Sequence, residues 1–170
     1  MDLTTQPQRT VTHGPNAGQP QRITDIVIVT GWHKRAIEDH FDYPNELIQN
    51  LSEQGKERLI EEVKRTAELA NFIYIRQKGP YGNGTPLINV RPLIGDEPFI
   101  YTWSDDFIDA KPKSRFQQMI DIYNEYHCSI LAGIKATKEA DYERYGFAGG
   151  KKLKEGLIDV ETVVEKPGKE

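Results

Sequence analysis

The sequence of 170 residues is long enough for one domain with its own core, and a hydrophobic share of 37% with a mean hydropathy of −0.64 describes a polar, globular chain. A formal net charge of −4, with both signs interspersed, excludes a general attraction to nucleic acid or to an anionic membrane surface. A single cysteine, Cys128, excludes an intrachain disulfide framework and a cysteine-built zinc site. No apolar run approaches the roughly 20 residues of a membrane span, and the start lacks the apolar core of a signal peptide, so a cytoplasmic location is the default expectation.

Residues 1–22 are rich in Thr, Gln, Pro and Gly and nearly devoid of large apolar side chains. Such a segment buries too little surface to offset its ordering entropy and reads as a disordered N-terminal tail. Its glycine-bearing stretch HGPNAG, 13–18, lacks the flanking strand and helix that a phosphate loop requires. Order is expected over 23–170 as one α/β domain. The β-branched run DIVIVT at 25–30 predicts a buried strand. Short helices follow at 33–41 and 45–51, then an amphipathic helix over 56–69 with Leu59, Ile60, Val63 and Ala67 on one face.

A second strand, FIYIR at 72–76, leads into QKGPYGNG at 77–84, where three glycines in six positions permit positive φ or close approach to a ligand. Thr85 as N-cap and Pro86 in the first turn predict a helix to Val90. The run FIYTWSDD at 99–106 reads as a strand covered on both faces that delivers Asp105 and Asp106 at its carboxyl end. There, paired carboxylates can hold a divalent cation against phosphate oxygens, or simply form a turn. Ser114 caps a helix over 115–126 with Phe116, Met119, Ile120 and Tyr123 as core positions. SILAGIKA at 129–136 predicts another strand, with Cys128 beside it as a packing residue; RYGFAGG at 144–150 and the alternating run 156–165 complete the elements.

Strands alternating with helices argue a doubly wound α/β fold, a mostly parallel sheet with helices on both faces. Ligands of such sheets bind outside the carboxyl ends of the strands.

Several segments together resemble bacterial UTP–glucose-1-phosphate uridylyltransferases of the nucleotidyltransferase family. They are VTG-x-x-KRAIEDHFD (29–42), IRQK-x-P-x-G-x-G (75–84), RP-x-IGDEPF (91–99), DD-x-x-DAKP (105–112), RYG (144–146) and VEKP (164–167). The resemblance implies a Rossmann-like nucleotidyltransferase fold and a magnesium-dependent transfer of a uridylyl group from UTP to glucose 1-phosphate, giving UDP-glucose and pyrophosphate. It implies that Gln77 pairs with the uracil edge while the backbone at Gly82 packs beside the base. Asp105 would bind magnesium, Gly146 would face the hexose, Glu165 would bond sugar hydroxyls, and Lys166 would neutralise the sugar phosphate. A homo-oligomer is compatible with the resemblance.

The sequence departs from the family pattern in its first 22 residues, which lack the strand and G-x-G-T-R loop that wrap the triphosphate. In a doubly wound sheet the first strand is central, so a gap is expected between the strands at 25–30 and 99–106. Trp32 and His33 stand where the family has Arg-Gly, Gly79 replaces Glu, and Thr85 replaces His. Trp32 could plug the gap, stack on a ligand or mark an interface. Two readings stay open. One is an enzyme of this family; the other is a catalytically inactive partial copy acting as a nucleotide-sugar-binding or partner-binding module. With the triphosphate loop absent, weak UDP-glucose binding and slow or no turnover are expected.

Overall fold

The computed structural model describes residues 8–12, 23–105 and 108–168. The chain divides into two compact units, Met1–Phe116 and Gln117–Glu170. The HGPNAG stretch and Asp106 lie outside the described residues.

The first unit holds β1 (Gln8–Thr12), β2 (Asp25–Thr30), α1 (Arg35–Phe41), α2 (Asn45–Glu53), α3 (Glu57–Ala67), β3 (Asn71–Arg76), α4 (Thr85–Ile94) and β4 (Phe99–Trp103). Its sheet has the order β3-β2-β1-β4. β2 and β3 are parallel, with Asp25 opposite Asn71 and Thr30 opposite Arg76. β1 runs antiparallel to both of its neighbours, so that Gln8 faces Val29 on one side and Trp103 on the other. β2, β3 and β4 therefore point the same way, and their carboxyl ends share one edge.

This mixed sheet differs from the expected mostly parallel one. The gap anticipated between β2 and β4 is occupied by Gln8–Thr12, five residues of the stretch read as a disordered tail. The physical reason lies in backbone pairing. An interior slot presents two open ladders, so a segment entering it satisfies its N–H and C=O groups on both sides at once. That gain belongs to position in the sheet and is invisible to averaged composition. The β-branched residues of QRTVT suit the conformation.

Alternation along β2 and β3 builds two faces. Val27 and Val29 pack with Ile75 of β3 and with Val90 and Ile94 of α4. Pro86, Val90 and Ile94, spaced four apart along α4, are its buried stripe. On the opposite face Phe72 stacks on Phe41 of α1 at 4.5 Å, and the Tyr74 hydroxyl donates to the Glu38 carbonyl. Thr30 also donates there, to the Glu38 carboxylate. α4 thus lies on one face of β2 and β3 and α1 on the other. At the amino ends of β2 and β3, Thr24 and the Asn71 amide donate to Asp25, and these bonds hold its carboxyl below the usual carboxylate range.

Three details depart from the sequence reading. α4 continues past Val90 to Ile94 despite Pro92 inside it, because Ile94 extends the buried stripe; Gly95, at φ 63°, then ends it. Its N-cap is Gly84, one residue before Thr85. β4 is half-buried, and its first residue, Phe99, is exposed, so it is not covered on both faces.

The second unit takes most of α5 (Arg115–Tyr126), a 3₁₀ turn at Glu139–Glu143, and the antiparallel hairpin of β5 (Gly146–Lys154) and β6 (Leu157–Glu165). Lys154 of β5 bonds Glu125 of α5 at 2.8 Å and lies over the Tyr126 ring. The helix begins and ends as predicted, but Phe116, Met119, Ile120 and Tyr123 are half-buried rather than core. The predicted strand at 129–136 is absent. No described strand pairs with it, and Leu131 and Ile134 stand 68% and 77% exposed. Apolar β propensity does not make a strand without a partner edge. Cys128 is exposed, not packed.

Because β1 is paired on both edges, a proline within it removes a ladder hydrogen bond whichever way the N–H points. Val11→Pro should lower unfolding stability by at least about 1 kcal/mol, the net value of one such bond. Urea denaturation of the full chain checks this; an unshifted midpoint would remove β1 from the sheet.

Candidate nucleotide-sugar site

The loops leaving the carboxyl ends of β2, β3 and β4 emerge along one edge of the sheet, where open α/β folds bind ligands. They are tied together. The Gln77 backbone N–H donates to the Thr30 carbonyl at 2.9 Å, and the Arg76 guanidinium donates to the Gly31 carbonyl at 2.6 Å. On the β4 side the Tyr101 hydroxyl donates to the Asn83 carbonyl at 2.8 Å. Burial raises the pKa of that hydroxyl.

Gln77 is half-buried at the start of the glycine loop, and its Nε2 reaches the Pro80 carbonyl at 3.5 Å. Gly79 has φ 105°, a conformation that favours glycine. Gly82 differs: a Cβ there would meet Thr85 Oγ1 at 3.9 Å, ordinary contact, so the fold does not demand glycine. Gly82 is exposed. A glycine that packing does not require is free to serve close approach from outside.

Asn89 of α4, which the sequence reading passed over, anchors this loop. Its Oδ1 accepts from the Lys78 N–H, while its Nδ2 donates to the Lys78 carbonyl at 3.1 Å and to the Thr85 carbonyl at 2.9 Å. An asparagine is a poor residue for a helix interior. Its place beside the apolar stripe Pro86–Val90–Ile94 was the signal that could have found it.

β4 ends at Trp103, and Asp105 follows in an exposed turn. No group of three or more His, Cys, Asp or Glu side chains that could hold a metal ion occurs among the described residues. Magnesium bound through one or two carboxylates and completed by substrate phosphates needs no such cluster, so a hard oxygen donor like Asp105 fits.

Trp32 does not plug the sheet. It is 78% exposed and stacks on His33 at 4.7 Å, with His33 at φ 61°. An apolar hollow of ≈ 310 Å³ lies elsewhere, between α4 and the start of β4, lined by residues that include Leu87, Val90, Ile94 and Phe99. Apart from Arg91, its lining side chains are apolar.

In the second unit, Gly146 and Glu165 are cross-strand partners at the open end of the hairpin. A Cβ on Gly146 would lie 2.9 Å from Glu165 Oε2, so glycine leaves that carboxylate its place. Lys166 follows with its Nζ 3.7 Å from Glu165 Oε1. Both side chains are exposed, so the pair is worth little and either group can turn to a ligand. Lys166 has φ 47°, left-handed for a non-glycine residue and followed by proline. Its N–H donates to the Tyr145 carbonyl at 3.1 Å, and the Gly168 N–H to the Tyr142 carbonyl at 3.1 Å.

The structure thus gathers Gln77, Gly82 and Asp105 on loops of one sheet edge, and Gly146, Glu165 and Lys166 at one hairpin end. A sheet flanked by helices, with loops issuing from the carboxyl ends of its three like-directed strands, makes the first unit an α/β domain. Residues 17–170 match the model of the nucleotidyl transferase family, and the chain belongs to that family. It is 44% identical over 147 residues to a UTP–glucose-1-phosphate uridylyltransferase of Bacillus subtilis (strain 168), covering 86% of this chain and 50% of that protein. A second relative, UTP–glucose-1-phosphate uridylyltransferase 2 of Staphylococcus saprophyticus, is 43% identical over 145 residues, 85% of this chain and 50% of its own. Among solved structures, an apo UDP-glucose pyrophosphorylase aligns with a TM-score of 0.74 at 34% identity, covering 85% of this chain and 53% of that one. A UDP-glucose pyrophosphorylase complexed with UDP-glucose aligns with a TM-score of 0.65 at 30% identity, covering 85% and 52%. The chain spans about half the length of the relatives it matches. No helix among the described residues is long and apolar enough to cross a membrane.

The left-handed backbone at Lys166 costs an L-residue energy that glycine avoids. Lys166→Gly should therefore raise stability by up to about 1 kcal/mol. Urea denaturation of the two chains measures the difference; a destabilised variant would show that the lysine side chain contributes more to the hairpin than its backbone costs.

Proposed function

We propose that this chain binds UTP and glucose 1-phosphate and supports transfer of the uridylyl group to give UDP-glucose and pyrophosphate. The observation that carries the reading is the 44% identity over 86% of the chain to a UTP–glucose-1-phosphate uridylyltransferase. The loops described above supply groups of suitable chemistry.

The Gln77 amide offers a donor and an acceptor to the uracil edge. The exposed backbone at Gly82 lets the base lie close. Asp105 would hold magnesium, which when bound would supply a positive charge to screen the phosphates. Lys166 neutralises the sugar phosphate, and Glu165 beside Gly146 accepts bonds from sugar hydroxyls. An oxygen of glucose 1-phosphate attacks the α-phosphorus of UTP. A new P–O bond forms, the bond to the β-phosphate oxygen breaks, and pyrophosphate leaves with that electron pair. The attacking oxygen is already anionic at neutral pH, so no general base is needed. Orientation and charge screening by these residues lower the barrier.

Calorimetric titration of the full chain with UDP-glucose, and a pyrophosphate-release assay with UTP, glucose 1-phosphate and magnesium, test the reading. Release that depends on glucose 1-phosphate supports it. Failure to bind UDP-glucose, or release indifferent to glucose 1-phosphate, overturns it. Asp105→Asn should remove the magnesium dependence of UTP binding, with the circular-dichroism spectrum unchanged.

Gly82 separates packing from binding. Gly82→Ala should leave stability within about 0.5 kcal/mol while weakening UDP binding about tenfold, a loss of about 1.4 kcal/mol. Undiminished UDP affinity in that variant would take Gly82 out of the site.

A further inference from the structure

A glutamine amide can turn over and present its donor and acceptor in either order. Uracil offers N3–H beside a carbonyl, and cytosine offers the reverse, so Gln77 can choose between them only if its amide is held one way round. In this structure the Pro80 carbonyl, 3.5 Å from Gln77 Nε2, gives the amide its direction. That carbonyl belongs to the loop, and what holds the loop against α4 is Asn89, whose side-chain amide closes on both the N–H and the C=O of Lys78 and is itself braced on Thr85.

From this chain of contacts we infer that Asn89 is a positioning residue for base selectivity. By clamping the Lys78 peptide to α4 it keeps the Pro80 carbonyl in place, and so keeps the Gln77 amide set for uracil rather than cytosine. The inference rests on the proposed pairing of Gln77 with uracil. Asn89 itself touches no substrate; its effect passes through the loop. Gly79, at φ 105° between Lys78 and Pro80, leaves the backbone there free to take other arrangements unless a clamp holds it.

The test compares UDP and CDP affinities, by calorimetric titration of the full chain, for wild type, Asn89→Ala, Gln77→Ala and the double variant. The UDP-to-CDP ratio should fall about tenfold in Asn89→Ala, chiefly through weaker UDP binding, a change of about 1.4 kcal/mol. The double variant should show no further loss beyond Gln77→Ala, because both substitutions act through one amide. A wild-type ratio in a folded Asn89→Ala, alongside a collapsed ratio in Gln77→Ala, overturns the inference and leaves the uracil reading standing. An unchanged ratio in Gln77→Ala overturns both. Should Asn89→Ala fail to fold, Asn89→Asp carries the same comparison, since it keeps the acceptor for Lys78 and loses both donors. Amide hydrogen exchange without ligand reads the clamp directly. Exchange at Lys78 should quicken at least about tenfold in the variant while Val90 and Ile94 stay protected, and unchanged exchange at Lys78 refutes the clamp.

Discussion

A strand in the interior of a sheet has to be paired on both edges, and in this molecule that demand governs everything downstream. β2 is the most deeply buried segment, with Val27, Ile28, Val29 and Thr30 nearly inaccessible. Water cannot reach its backbone, so its N–H and C=O groups need protein partners. β3 supplies one ladder and β1 the other. β1 in turn joins β4 to the sheet. It thereby fixes the β4 loop that bears Asp105 in the same sheet as the β3 loop that bears Gln77, a relation the Tyr101–Asn83 hydrogen bond reinforces. The antiparallel sense of β1 leaves β2, β3 and β4 parallel to one another, so three loops still issue from one edge.

That edge is stiffened by hydrogen bonds from side chains to backbone rather than by apolar packing. Tyr101 reaches across to Asn83, Arg76 to Gly31, and Asn89 to Lys78 and Thr85. Each fixes a peptide group of a loop that buries little surface. The loop keeps its shape while its outer side stays open to solvent, an arrangement that suits a polar ligand. A loop held by apolar contacts would have to turn its large side chains inward and offer less backbone outward.

Much of this was legible in the sequence where a local pattern coincides with a local cause. The DIVIVT run, the amphipathic spacing in α3 and Pro86 in the first turn of α4 each name their element through neighbours a few residues away. The failures share another cause, which is dependence on a distant partner. QRTVT becomes a strand because two edges await it, and SILAGIKA does not because none does. The apolar face of α5 predicts burial, yet its residues end half-buried for want of cover within the described residues. Among the candidate residues, Gln77, Gly82, Asp105, Gly146, Glu165 and Lys166 were nameable only through resemblance. Asn89 was not, since its partner Lys78 lies in a loop that only the folded chain brings to α4.

The hairpin of the second unit shows how such a dependence can hold a pair of exposed charged groups. Two strands alone are marginal in water, and this pair exposes Val163 and Val164 to 62% and 50%. Its open end is nevertheless closed. Tyr142 stacks on Phe147 at 4.5 Å with nearly parallel rings, and the backbone of the same short stretch receives the N–H groups of Lys166 and Gly168. Those two bonds fix the left-handed turn at Lys166. An extended backbone, the ordinary choice before proline, would break the register that places Lys166 N–H against Tyr145. The strain is thus the consequence of returning the chain onto Tyr142 and Tyr145, and it leaves a lysine and a glutamate side by side at the mouth of the hairpin, both solvent-facing and neither committed to the fold.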